Sequence, residues 1–137
     1  MANITRIDLE IKTGNRTGAG TDGFVYLGIG GREFRVDRPN INDLEKNTTE
    51  IFVFSPNGTV VNPTLNDPTS PYKLKTEDLD KFPRYIRFRG AGDDDNWNIE
   101  QLKVTVNPGA SEKVYEALGG SNNVWLGARN GEFFYFN

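Results

Sequence analysis

The sequence predicts an all-β chain, an antiparallel two-sheet β-sandwich of about eight strands in a single domain, on three observations. Apolar and polar residues alternate with period two, most clearly in Ile7-Asp8-Leu9-Glu10-Ile11-Lys12. Fifteen Gly and seven Pro punctuate such runs at a density that leaves no room for long helices. A chain of 137 residues, 36% hydrophobic and 26% charged, supplies one sizeable core and is too short for two.

Ile4, Ile7, Leu9 and Ile11 give the first strand one buried face, with Arg6, Asp8, Glu10 and Lys12 on the other. A loop of Gly, Asn, Thr and Asp follows, too long for a tight hairpin. Phe24 to Ile29 is the second strand, and Gly30-Gly31 turns it into Arg32 to Asp37. A second polar loop, Arg38 to Asn47, precedes a strand from Thr48 to Phe54 that is read through Ile51, Val53 and Phe54. From Ser55 to Tyr72 four prolines break regular structure, so residues 55–81 are expected to form a mobile or family-variable Pro-rich insertion. Within it, Thr76 to Asp80 starts a short helical turn.

Arg84 to Gly90 is a strand with Tyr85 or Ile86 and Phe88 inward and Arg84, Arg87 and Arg89 outward. Trp97 to Val106 is the next, its alternation broken once near Glu100-Gln101 as by a bulge. Glu112 to Leu118 fits either a helix closed by Gly119 or a poor strand. Val124 to Ala128 and Glu132 to Phe136 are expected to form a closing hairpin around Asn130-Gly131. One internal echo relates Val25–Phe34 to Val124–Phe133, and convergent hairpin chemistry is its favoured explanation. The rings of Phe133 to Phe136 are read as core before they are read as a stacking platform.

Composition narrows the function. A formal net charge of −3 argues against nucleic acid as a partner. With no Cys and no His the chain lacks a thiolate nucleophile, the commonest general base and the commonest zinc ligands. Carboxylates at Glu33, Glu50, Glu100 and Glu132 sit on strands, but the spacing that would pair two of them for glycoside chemistry is not legible in the sequence, so no catalytic residues are assigned and the chain is expected not to be an enzyme. No run approaches a membrane span, and no apolar leader is expected from the amino terminus. Neither localisation nor oligomeric state is legible.

What remains is oxygen-donor chemistry in loops. Gly18-Ala19-Gly20-Thr21-Asp22, Asn42-Asp43 and Asp93-Asp94-Asp95-Asn96 each read alone as a turn, a cap or a solvated acidic run. A sandwich clusters the loops of one end, and three oxygen-rich loops together supply the hard ligands that calcium takes.

These stretches resemble the PLAT domain, the β-sandwich module shared by lipoxygenases, animal lipases, polycystin-type channels and a bacterial phospholipase C toxin. The resemblance rests on K-T-G with A-G-T-D-x-x-V-Y-L-G-I at Lys12 to Ile29, on N-D-L with F-x-F at Asn42 to Phe54, and on D-N-W-x-I-E-x-L-K-V at Asp95 to Val104. It implies a non-catalytic binding module with calcium as cofactor. One implied site uses the carbonyls of Gly20 and Asn96 with the Asp95 carboxylate. The other uses the Thr21 carbonyl with Asp22, Asn42 and Asp43. The toxin-like pattern has an acidic residue where this chain has Gly18, a place Asp93 or Asp94 would fill.

Two roles follow for such a module. Protein contact ranks first, because the sequence offers no amphipathic helix, acylation motif or polybasic run to add a second membrane anchor. Calcium-dependent binding to an anionic lipid surface ranks second, with Ile41 and Leu44 dipping into the interface and Arg84, Arg87 and Arg89 meeting phosphates.

Overall fold

The computed structural model describes residues 2–109 and 111–137, and among them lie nine strands in two antiparallel sheets. β1 (Ile7–Thr13) is central in the first sheet, between β4 (Thr49–Phe54) and β6 (Asn96–Val106). The long β6 serves two further partners: β8 (Val124–Gly127) along its first half and β7 (Lys113–Leu118) along its second. In the second sheet β2 (Phe24–Ile29) lies between β3 (Arg32–Arg35) and β5 (Tyr85–Arg89), and β9 (Phe133–Tyr135) pairs with β5.

The two inner faces make the core. Ile7, Leu9 and Ile11 of β1 and Leu102, Val104 and Val106 of β6 are fully buried against Val25, Leu27, Ile86 and Phe88 of the other sheet. Trp97 fills the loop end of this core, its indole N–H donating to Thr13 Oγ1 at 3.1 Å and its ring 5.7 Å from that of Phe88. The expected bulge is present: Lys12 pairs with Gln101 but Thr13 pairs with Ile99, leaving Glu100 as the extra residue.

Several expectations are corrected. In β4 the inward residues are Glu50, Phe52 and Phe54, whereas Ile51 faces solvent, because Glu50 has a buried ionic partner described below. Of the two alternatives left open for Glu112 to Leu118 the strand is the one present, Lys113–Leu118 lying in full register with β6. The last two strands are not a hairpin. β8 pairs with β6 in one sheet and β9 with β5 in the other, so the turn around Asn130-Gly131 is a corner between sheets. The echo with Val25–Phe34 is therefore not structural, since β2 and β3 form a true hairpin. The tail rings divide: Phe136 is buried, while Phe133 and Tyr135 stand exposed beside Tyr85.

The Pro-rich segment, expected to be mobile or family-variable, is tied to the sandwich. Val60, Leu74 and Leu79 join the core, and Ile4 N donates to Leu74 O at 2.8 Å. Asn66 covers the free edge of β3 by accepting from Arg35 N at 2.8 Å, and the Arg32 guanidinium reaches the carbonyls of Asp67 and Tyr72. The short turn at Thr76–Asp78 is a 3₁₀ helix.

Candidate functional site

The three oxygen-rich loops meet at one end of the sandwich and are bonded to one another. Thr21 N donates to Leu44 O and Asn47 N to Gly14 O, each at 3.0 Å, joining the first loop to the second. Thr21 Oγ1 donates to Asp95 Oδ2 at 2.7 Å and Asn98 N to Ala19 O at 3.0 Å, joining the first to the third. Two glycines of the motif are required by these approaches. A Cβ on Gly20 would stand 2.8 Å from Lys46 N, and one on Gly14 would stand 1.9 Å from Asn98 Oδ1.

Asn98 went unremarked in the sequence, because between Trp97 and Ile99 it holds the place of an ordinary outward-facing side chain. It is fully buried, and its side-chain amide donates to Asn123 Oδ1 at 2.9 Å and Val124 O at 3.1 Å. Its main chain meanwhile holds the first loop through Gly14 N and Ala19 O.

The donors of the first implied calcium site converge in part. Asp95 Oδ2 is taken by Thr21 Oγ1 and by Ala91 N at 2.8 Å, while Oδ1 accepts from no donor among the described residues. The Gly20 carbonyl is likewise without a donor there. One carboxylate oxygen and main-chain carbonyls are hard donors of the kind calcium takes, so the chemistry of the set is compatible with the ion, which Asp95, Gly20 and Asn96 would hold. Asp93 and Asp94 are the candidates for the acidic place that Gly18 leaves. Both are exposed, and Asp94 lies 3.7 Å from Arg129. Gly18 itself has φ +76 with open space around it. No group of three or more Asp, Glu, His or Cys gathers as a metal cluster among the described residues.

The second implied set comes together, but its Asp43 is already engaged by a cation. Thr21, Asp22, Asn42 and Asp43 line one cleft of about 240 Å³, with Phe24, Asp37 and Ile41 also on its walls. Both oxygens of Asp43 are engaged by Arg38: Oδ2 accepts from the main-chain N at 2.6 Å and Oδ1 from Nε at 2.8 Å. Arg38 Nη2 also bonds Glu50 Oε2 at 2.7 Å, and Leu44 N donates to Glu50 Oε1 at 2.7 Å. Burial, and then the neighbouring Asp43, pushes the Glu50 carboxyl above its ordinary range. Burial also pushes Asp37 upward, with Arg35 opposing and Asp43 adding. In the sequence Asp37 closes the third strand and Arg38 opens the second polar loop, and neither was singled out.

Of the expected lipid contacts, Ile41 is 50% exposed and Arg89 is exposed beside Phe24, its partner in register. The other three are corrected. Leu44 is 3% exposed and belongs to the core. Arg84 turns inward, its guanidinium 4.3 Å from the Tyr115 ring and bonded to Leu79 O. Arg87 is spent on Glu33 in a two-pronged pair of 2.9 and 3.0 Å while lying 4.1 Å over Tyr26.

Two antiparallel sheets with this loop end define the class: the chain has the fold of a C2-like, PLAT-type β-sandwich domain. In sequence it is 33% identical over 142 residues to the phospholipase C of Clostridium haemolyticum, a match covering 99% of this chain and 30% of that protein. The matched part is that enzyme's C-terminal, non-catalytic domain, and the chain is accordingly a non-enzymatic module. No family model matches the chain. Among solved structures it resembles the alpha-toxins of Clostridium perfringens (TM-score 0.69, 20% identity, 99% of this chain and 32% of that one) and Clostridium absonum (0.64, 21%, 98% and 32%). It also resembles coral 8R-lipoxygenase, described as activated by calcium through a C2-like domain (TM-score 0.60, 16% identity, 96% of this chain and 16% of that one). The chain thus spans a third or less of these proteins. No helix among the described residues is long and apolar enough to cross a membrane.

Proposed function

We propose that the domain docks on anionic membrane surfaces through its loop end, with calcium at the Asp95 set strengthening the attachment. The observation that carries this reading is the shared cleft, in which the exposed apolar side chains of Ile41 and Phe24 stand beside the oxygens of Asp22 and Asn42. An apolar side chain beside hard oxygens suits an interface where acyl carbon lies under phosphate. A bound calcium ion supplies positive charge and coordination positions for phosphate oxygens. Asp95 holds its free Oδ1 in place through the bonds that Thr21 and Ala91 make to Oδ2. Arg89 adds a cation on the same side as Phe24. A phospholipase and a calcium-activated lipoxygenase among the relatives support lipid over protein as the surface bound, reversing the order the sequence suggested.

Co-sedimentation with phosphatidylserine-containing vesicles tests the reading. Pelleting is expected to rise with calcium, to lose that rise in Asp95→Asn, and to weaken in Ile41→Asp with and without calcium. Equal pelleting by wild type and both variants would refute it, and recovery of protein partners without vesicle binding would restore protein contact as the role.

A further inference from the structure

The second implied calcium site contains its own cation. Arg38 lies between Asp43 and Glu50, with Nη2 2.7 Å from an oxygen of each carboxylate, and those side chains are only 6% and 8% exposed. The guanidinium also packs 5.3 Å over the buried ring of Phe52. Every oxygen of the pair has a donor: Asp43 is saturated by Arg38, and Glu50 by Arg38 Nη2 and Leu44 N. A divalent ion reaching Asp43 would have to displace a tethered, fork-shaped cation at high effective concentration and leave it buried beside a second positive charge. Asp43 is therefore not free to serve as a ligand, and Asp22 is the one carboxylate of the implied set left without a partner among the described residues.

We propose that Arg38 replaces the metal ion at this set, so that the loop of residues 36–47 is held in its docking form permanently, and calcium acts at the Asp95 set alone. The inference rests on the proposed docking role for its purpose but not for its test. With the loop fixed by Arg38, Ile41 is presented whether or not calcium is present. Calcium then adjusts the strength of attachment rather than switching it on.

The test is a double-mutant cycle of Arg38→Gln and Asp43→Asn, read by thermal melting in chelator and again in millimolar calcium, together with calorimetric counting of calcium on stripped protein. Asp43→Asn is expected to lower the melting temperature by the same amount in both conditions, with Arg38 and Asp43 coupled in both. The calcium count is expected to be no more than one per chain, unchanged in Asp43→Asn and abolished in Asp95→Asn. A count of two that falls to one in Asp43→Asn would overturn the proposal. So would a destabilisation by Asp43→Asn that appears only in calcium. If wild type binds no calcium at all while the cycle shows its coupling in chelator, the role of Arg38 stands and the calcium arm of the docking reading falls. Should Arg38→Gln fail to fold, the count in wild type and Asp95→Asn still decides between one set and two.

Discussion

Replacing Asn66 with Ala removes one side chain that makes three bonds from a site 7% exposed. Its Oδ1 accepts from Arg35 N at 2.8 Å, and its Nδ2 donates to Val61 O at 2.9 Å and Asn62 O at 3.3 Å. The loss strips a partner from the edge of β3 and from two carbonyls of the insertion. At about 1 kcal/mol net per bond, discounted for water that reaches the half-exposed Arg35, the cost is about 2 to 3 kcal/mol. For a chain of 137 residues an unfolding entropy of roughly 2.1 cal/mol/K per residue converts that cost into a fall of about 7 to 10 °C in melting temperature. Circular-dichroism melts measure it, with Asn57→Ala as control, since Asn57 is exposed in the same segment and its replacement should shift the melt by less than about 1 °C. The bared β3 edge should also favour self-association on size exclusion. A fall of less than about 2 °C in Asn66→Ala would refute the reasoning and return the insertion to the status of a loose appendage.

Asp95→Asn keeps an oxygen to accept from Thr21 and Ala91, so in chelator it should melt within a few degrees of wild type, while calcium at a hundredfold over its dissociation constant, which stabilises a binding fold by about 2.7 kcal/mol, should no longer raise the melt. Ile41→Asp should leave stability unchanged and weaken vesicle binding by roughly tenfold, as expected for losing about 1.5 kcal/mol of apolar burial. Gly14→Ala should destabilise the metal-free fold by melt, because the new Cβ meets the Asn98 amide inside a buried corner. Glu33 is held below its ordinary value of 4.5, first by its bond from Arg87, with burial opposing and Tyr85 assisting. Its contribution is therefore present above pH 4.5 and lost as the pH falls through the lower folded value. Glu33→Gln should flatten that acid limb of the melting curve. In the same cluster, burial and then Glu33 push the Tyr85 phenol up to about 12. Its share of stability is complete below pH 10 and lost above, which ultraviolet titration of Tyr85→Phe against wild type would show.

Most of the strands could be read from residues because one face of each is wet. Ile7 to Lys12 alternates cleanly since β1, though central in its sheet, packs only one side against the other sheet. The reading slipped on β4, where a carboxylate goes in and Ile51 goes out. Nothing local marks Glu50 as inward, because its partner Arg38 is brought to it by a loop rather than by the strand. Lys113–Leu118 stayed undecided for a related reason: β7 is an edge strand with only partial burial along its length, so it carries neither period strongly. At the candidate site the loops and their meeting were legible from three motifs, but occupancy was not. Leu44 lies two residues from Asn42 and points into the core, and Arg38 reads in sequence as the residue before a proline.

The corner between β8 and β9 fixes the order in which the domain can mature on the ribosome. The first half of β6 and the outer edge of β5 receive their partners only from residues 124–135. Until those residues emerge, the strand that carries Asn96 and Trp97 lies against a single neighbour along that half, and the second sheet ends in an open edge. Nascent chains paused short of the corner should thus be the state most in need of a chaperone. The last strands work as a latch: they add Leu126 and Phe136 to the core, and the loop end where docking is proposed is closed only when the chain returns to it.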